Sequence, residues 1–174
     1  MITPDYVRLM AAYTAWQNES LFTAASTLND EERLRGRRAF FGSIQATLNH
    51  LLWGDQLWMQ RLAGTAAPKA TDIPSSTTQY EYWPDLVAAR AATDRTMLDW
   101  AETVKDEDLE GELGWYSAAM NTDIRRPRWV LVIQLFNHGT HHRGQVHTML
   151  TAAGVLPGDT DVPFMPAEHY DWIS

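Results

Sequence analysis

The chain has 174 residues and contains no cysteine. This absence excludes disulfide cross-links, thiolate zinc sites, iron–sulfur ligation and a cysteine nucleophile. A chain of this length matches one domain and buries enough apolar surface to be stable without cross-links. We therefore expect a single domain over residues 1–174.

Basic residues are also scarce, because 14 Lys and Arg oppose 22 Asp and Glu and give a net charge of −8. Nucleic-acid binding draws much of its affinity from basic side chains, so we expect no nucleic-acid partner. No apolar run approaches the ~20 residues that span a bilayer. The first residues lack the basic and apolar segments of a signal peptide. We therefore expect a cytoplasmic protein that does not contact membranes.

Sustained strand patterns are missing too, and apolar residues recur at the three-to-four spacing of amphipathic helices. Thr3 followed by Pro4 is typical of a helix start, and Gly154 followed by Pro157 of a helix end. The fold class predicted is all-α, an antiparallel four-helix bundle. Its helices are expected over about residues 3–28, 43–62, 79–104 and 128–153.

The segments between these helices carry turn residues. We expect a loop over residues 64–78, and a loop or two-stranded hairpin over residues 106–126, between the third and fourth helices. The tail after Gly154 is expected to be irregular but packed down through three aromatic side chains: Phe164, Tyr170 and Trp172.

Four of the six histidines lie between His138 and His147. On a helix, His138 and His142 are one turn apart, so their imidazoles can reach one metal ion. His141 points ~60° away from His138, and His147 points ~180° away. The metalloprotease pattern HExxH is excluded because Gly139 stands where that pattern has glutamate.

His50 is the histidine inside the second predicted helix. Gly54, one turn further on, leaves open volume beside the His50 imidazole, which is more typical of pocket lining than of core packing. Gly139 and Gly144 are unusual inside a helix and indicate either close helix packing or space for a ligand.

Two separated stretches of the chain resemble the DinB/YfiT-like metal-binding family. They are Ser43-Ile44-x-x-Thr47-Leu48-x-His50-x-Leu52-Trp53-x-Asp55-x-x-Trp58 and Asn137-His138-x-Thr140-His141-His142-Arg143-Gly144-Gln145. The resemblance implies a four-helix bundle, often dimeric, whose three histidines bind one divalent ion, commonly zinc or nickel. The implied metal ligands are His50, His138 and His142.

The resemblance also implies a function, for which three alternatives stay open. The first is an enzyme that uses a low-molecular-weight thiol for S-transfer or isomerisation of a small-molecule substrate. The second is a hydrolase, and the third is a non-catalytic metal- or ligand-binding bundle. No residue stands out in the sequence as a general base.

Further expectations concern the surroundings of the ion. Asn18, Asn49 and Gln145 are candidates to fix a histidine tautomer. We expect no carboxylate as fourth ligand of the metal ion. Asp55 lies ~140° around its helix from His50 and so points away from it. The other candidate carboxylates, which we also expect not to bind the ion, are Glu19, Asp159 and Asp161. We also expect a homodimer, because aromatic residues favour interfaces and not every tryptophan need fit one core; the tryptophans considered are Trp83, Trp115 and Trp129.

Overall fold

The computed structural model describes residues 1–118 and 120–170, and these are mainly helical, as predicted. In chain order the elements are α1 (Pro4–Ser26), α2 (Asp30–Leu34), α3 (Ile44–Ala63), α4 (Ile73–Ser76), α5 (Trp83–Thr103), α6 (Asp106–Leu109), β1 (Glu112–Ser117), β2 (Thr122–Pro127) and α7 (Arg128–Ala152). Two 3₁₀ turns follow in the tail, Val162–Phe164 and Ala167–His169.

Helices α1 and α3 begin at residues whose side chains cap them. The hydroxyl of Thr3 accepts a hydrogen bond from the Tyr6 backbone N–H at the start of α1. At the start of α3, the hydroxyl of Ser43 accepts one from the Ala46 backbone N–H. Gly64 ends α3 in the left-handed conformation, with φ 70°, which glycine adopts at no steric cost. These local signals explain why the two helices lie close to the predicted ranges.

The third long helix begins later than predicted. Residues 79–82 are not helical, and α5 begins at Trp83 with Pro84 in its first turn. Proline has no N–H to donate and is tolerated only in the first turn, so the helix cannot extend far before Pro84. The prediction of a loop or hairpin over residues 106–126 is wrong for the first turn, because α6 forms there. The rest of the segment is a two-stranded hairpin, with Glu112 paired to Pro127 and Ser117 to Thr122.

Two apolar clusters form the core, and each draws on all four long helices. The first apolar cluster is built mainly from Leu21, Phe22, Ile44, Leu48, Leu51, Trp83, Leu86, Val146 and Leu150. The second apolar cluster is built mainly from Val7, Met59, Leu62, Met97, Leu131, Leu135 and Phe136. Along the chain, α1 and α7 run from the second cluster to the first, whereas α3 and α5 run from the first to the second.

The long helices contribute polar side chains between the two clusters. Helices α1 and α3 each pack mainly against α5 and α7, which brings these middle segments together. We call this set the polar layer, and its members are Asn18, His50, Asp55, Arg90, Asp94, His138, His142 and Arg143.

The connection between α3 and α5 returns along the side of α3. The Trp53 indole donates a hydrogen bond to the Ala70 carbonyl at 2.8 Å, and the Gln45 amide donates to the Glu81 carbonyl at 2.8 Å. The prediction of a loop over residues 64–78 is wrong for one turn, because α4 forms there. Asp72 and Ser75 cap α4 reciprocally, so the turn is stabilised locally.

The tail packs on α1. The Tyr13 hydroxyl donates to the Thr160 carbonyl at 2.7 Å, and the Gln17 amide donates to the Asp159 carbonyl at 2.8 Å. Met165 is buried against Ala12 and Tyr13, and the ring of Tyr170 packs there as predicted. The prediction for Phe164 is wrong, since that ring is exposed, and Trp172 lies outside the described residues.

Of the tryptophans considered for an interface, Trp83 belongs to the core. Its ring stacks on Phe22 at a centroid distance of 5.5 Å within the first apolar cluster. Trp115 and Trp129 are half-buried. None of the helices in the described part of the chain is long and apolar enough to cross a membrane.

Candidate metal centre

Three histidines meet in the polar layer. His50 lies on α3, whereas His138 and His142 lie on α7, and each offers a ring nitrogen within 4.8 Å of the others'. We call these residues the histidine cluster. Two of its members are buried and His138 is half-buried. The structure thus brings together the three residues that the sequence singled out as metal ligands.

The one-turn spacing on α7 orients the pair of imidazoles as expected. The Nε2 atoms of His138 and His142 are 3.1 Å apart. His141 is exposed and contacts the Gln145 amide instead, and His147 lines a separate cavity between α1 and α7.

Ser76 fixes the tautomer of His50. Its Oγ lies 2.8 Å from His50 Nδ1, and its single hydroxyl hydrogen is donated to the Ile73 carbonyl at 2.6 Å. The oxygen must therefore accept the hydrogen bond from Nδ1–H. The lone pair of His50 is left on Nε2, the atom available to a metal.

Gln145 plays the same part for His142. Its side-chain carbonyl oxygen accepts a hydrogen bond from His142 Nδ1 at 2.8 Å, which leaves the lone pair on Nε2. That lone pair faces His138 Nε2, while His138 Nδ1 is buried without a hydrogen-bond partner among the described residues. Three converging imidazoles, two of them held on the far side by neutral partners, fit a divalent cation.

The other two predicted tautomer partners lie elsewhere. Asn18 donates to the Asp94 carboxylate at 2.8 Å, and Asn49 bonds to the backbone of Tyr80. The sequence does not point to Ser76, which reaches His50 only because the connection between α3 and α5 folds back along α3. No local pattern around Ser76 signals this contact.

Burial keeps the histidine cluster neutral. Loss of hydration lowers the pKa of His50 to about 3 and that of His138 to about 4, and the neighbouring histidines add to both effects. Burial also lowers the pKa of His142. A metal binds the neutral imidazole, so no proton has to leave at neutral pH.

Glycine and aromatic rings shape the walls of the cluster. A Cβ atom on Gly54 would lie 2.6 Å from Cε1 of His138, so the volume expected to be open beside His50 is filled by His138. The Phe41 ring stacks on the His50 ring with their centroids 3.9 Å apart. The Trp53 ring lies beside the His50 ring with their centroids 5.5 Å apart.

The two other glycines differ from each other. A Cβ on Gly139 would lie 2.8 Å from the buried Arg143 guanidinium, so Gly139 provides room for that side chain. Gly144 has open space, and no described atom lies within 4 Å of its would-be Cβ. The atoms nearest Gly139 belong to a side chain of the same helix and those near Gly144 are more than 4 Å away, so neither position shows the close packing of two helices.

Asp55 and Arg90, with Asp94, form an ion-pair cluster on the other side of the polar layer. An Arg90 nitrogen lies 2.7 Å from Asp55, and a second lies 2.8 Å from Asp94. Asp55 is fully buried and directed to this guanidinium, as expected of a residue outside the metal ligands. Within residues 1–118 and 120–170, the group suited to a metal is the histidine cluster, and it includes no carboxylate. The candidate carboxylates Glu19, Asp159 and Asp161 therefore lie outside it.

Fold and site together define a mainly helical protein with a candidate divalent-metal centre. Sequence comparison then places it: the DinB family model matches residues 1–171, so the chain belongs to the DinB family. Protein DinB of Bacillus subtilis (strain 168) is 24% identical over 164 residues, which cover 90% of this chain and 91% of that protein. The crystal structure of a DinB-like protein from Bacillus cereus ATCC 10987 is similar with a TM-score of 0.51 and 16% identity, covering 83% of this chain and 91% of that one. This likeness supports the fold.

Proposed function

We propose that this chain is a metal-dependent enzyme built on a DinB-type four-helix bundle, with His50, His138 and His142 as the ligands of one zinc or nickel ion. Its reaction is S-transfer or isomerisation of a small-molecule substrate with the help of a low-molecular-weight thiol. The observation that carries the proposal is the histidine cluster, in which three imidazole nitrogens converge without a carboxylate among the described residues.

The chain's own residues prepare this centre. Ser76 and Gln145 hold the rings so that Nε2 of His50 and of His142 stays unprotonated, while Phe41 and Trp53 shield His50 from water. His50, His138 and His142 would hold the divalent ion, which would supply a Lewis acid able to lower the pKa of a bound water or thiol.

We place thiol chemistry before hydrolysis because the resemblance to the DinB/YfiT-like family implies it, and the three-imidazole donor set is compatible with it. Neutral ligands leave the full positive charge to attract a soft thiolate, the better nucleophile. The chain contains no cysteine, so that thiolate has to come from a soluble thiol. This also favours a small-molecule cofactor over a nucleophile from the protein.

The test combines metal analysis with spectroscopy. We expect about one divalent ion per chain in the purified protein, and a thiolate-to-metal charge-transfer band when a thiol is added to the nickel- or cobalt-loaded protein. The band should strengthen as the pH rises through the pKa of the thiol. His141→Ala is the matched control and should keep the band. A loaded protein that shows no band but hydrolyses ester or amide substrates would move the assignment to a hydrolase.

We also propose that the protein forms a homodimer. Trp129 is half-buried, and large apolar side chains such as Phe40 and Leu156 are exposed, which is typical of interface residues. Light scattering at micromolar concentration should give twice the mass of 19.8 kDa. A monomeric mass contradicts the proposal.

A further inference from the structure

A second cavity lies on the far side of Trp53 from the histidine cluster. The C-terminal half of α3, the connection that follows it and strand β1 enclose a cleft of about 640 Å³. We call it the tryptophan cleft, because three indoles line it: Trp53, Trp58 and Trp115. Its volume is within the ~300–1,000 Å³ of small-molecule sites.

The walls of the tryptophan cleft are flat and apolar. The rings of Trp58 and Trp115 pack edge to face with their centroids 5.7 Å apart. Ile73 and Pro74 also line the cleft. Indoles of this kind bind planar apolar groups with little loss of side-chain entropy. The lining therefore selects a ligand with a flat hydrophobic body.

Arg61 is the cation of this lining. Its guanidinium carbon lies 4.8 Å from the ring centre of Trp58 and 5.2 Å from that of Trp115. It is half-buried, and among the described residues it has neither a hydrogen-bond acceptor nor a carboxylate at ion-pair distance. Such a group gains most from an anion, because the water that would solvate it is partly excluded.

Asp72 is the acidic residue of the same lining, and it is already engaged. Its carboxylate accepts hydrogen bonds from the backbone and from the hydroxyl of Ser75, at 2.8 and 2.6 Å. Among the described residues, the charge in the cleft that lacks a counter-ion is therefore the positive charge of Arg61.

We propose that the tryptophan cleft binds an organic anion with a planar apolar body, whose carboxylate pairs with Arg61. The guanidinium fork matches a carboxylate through two parallel hydrogen bonds, and the ring faces beside it hold the apolar body. The site depends on Arg61 and the indoles and does not require a metal in the histidine cluster.

The cleft adjoins the candidate metal centre. Trp53 lines the cleft and contacts His50 on its other side, and Ile73 lines the cleft while its carbonyl holds the Ser76 hydroxyl. A ligand in the cleft thus lies one side chain away from the residues that orient His50.

The experiment compares two probes of the same shape, 2-naphthoate and its neutral amide 2-naphthamide, by titration calorimetry at pH 7.5. The anion should bind about tenfold more tightly than the amide, and added salt should reduce this preference. Arg61→Gln should abolish the preference and change amide binding less than twofold. Trp115→Leu should weaken both probes about tenfold.

Two controls make the result decisive. Arg95→Gln removes the same charge from an exposed position on α5 and should bind both probes like the parent protein. His138→Ala should also retain the anion preference, so failure of the metal centre and failure of the cleft are distinguishable. Circular dichroism establishes that each variant is folded. Equal affinity for the two probes, a preference that survives Arg61→Gln, or no saturable binding overturns the proposal.

Discussion

The histidine cluster and the ion-pair cluster lie in the same polar layer, and α3 contributes one residue to each, yet their buried atoms are satisfied differently. Asp55 and Asp94 share the guanidinium of Arg90, so that side carries its own counter-charge. The histidine side has neutral partners at its periphery, Ser76 and Gln145, and unprotonated nitrogens at its centre.

This difference separates a structural cluster from a binding cluster. A buried carboxylate with an arginine as its counter-ion, as at Asp55, does not need a metal for charge balance, and we infer that its role is to fix how the helices pack. At the histidine cluster the Nε2 atoms of His138 and His142 lie 3.1 Å apart, close to the separation of two imidazole nitrogens that bind one metal ion. The following predictions are ordered by the size of the expected effect, and each distinguishes one cluster from the other.

Loss of one histidine should remove the ion. His138→Ala leaves two imidazoles, which form a weak site, so we expect bound metal to fall from about one ion per chain to nearly none and the affinity to fall more than ~100-fold. Elemental analysis after dialysis measures this. His141→Ala and His147→Ala, on other faces of α7, should keep full metal content, as should His169→Ala. Stoichiometric metal in His138→Ala would rule out the assignment of that ligand.

Loss of the arginine should affect stability and not metal content. Arg90→Met leaves two buried carboxylates without their cation, which we expect to cost about 3–5 kcal/mol of unfolding free energy. A denaturant titration measures the loss. If this variant does not fold, Asp94→Asn gives a milder form of the same test. Arg95→Gln on the same helix should change stability by less than about 0.5 kcal/mol. Equal losses from both arginines would contradict the structural role of Arg90.

Acid should destabilise the metal-free protein through the histidine cluster. The pKa values of His50 and His138 are about 3 and about 4 in the folded chain, against ~6.5 when unfolded, so between these values the unfolded state binds more protons. The contribution of the neutral imidazoles to the unfolding free energy is therefore fully present above pH ~6.5. It falls as the pH drops towards 4, by about 1.4 kcal/mol per pH unit for each imidazole.

Asp94 acts in the opposite direction, because burial raises its pKa to about 6 and the folded state then binds the extra proton. Comparison with His50→Gln isolates the histidine contribution: the pH slope of the unfolding free energy should decrease by one imidazole's share. An unchanged slope in that variant contradicts the neutral, buried state of His50.

A methyl group beside the cluster should disturb it slightly. Gly54→Ala places a Cβ at 2.6 Å from His138, so the ring must move, and we expect a loss of about 1–3 kcal/mol together with weaker metal binding. Gly144→Ala on α7 meets open space and should stabilise the helix by up to about 1 kcal/mol. Thermal denaturation with and without metal measures both, and equal behaviour of the two variants argues against close packing at Gly54.

The sequence predicts what depends on helix geometry. One-turn spacing is sufficient to orient His138 and His142, and the turn residues limit the segment before α7 to a loop or a hairpin, of which the structure has the hairpin. Composition and periodicity predict a mainly helical chain. These features are local, because the residues involved lie within a few positions of one another.

Features that depend on tertiary contacts cannot be predicted in this way. The pairing of Asp55 with Arg90 joins different helices, and the contact of Ser76 with His50 depends on the path of the connection. The small size of Gly54 predicts space beside His50, but it does not reveal that a side chain of α7 occupies that space. The late start of α5 follows from Pro84, which is a local signal. The prediction started the helix too early because it gave more weight to the helical spacing of the apolar residues than to this proline.

The two apolar clusters also bear on how this protein would acquire and lose the proposed metal ion. Each cluster is built from aliphatic and aromatic residues of all four long helices and includes no histidine. The helices therefore assemble around an already oriented set of nitrogens, unlike small zinc domains that fold only when metal binds. We expect a chelator to strip the protein without denaturing it. Which ion the folded chain would carry then depends on cellular supply as well as on affinity, among the divalent metals that imidazole ligands suit.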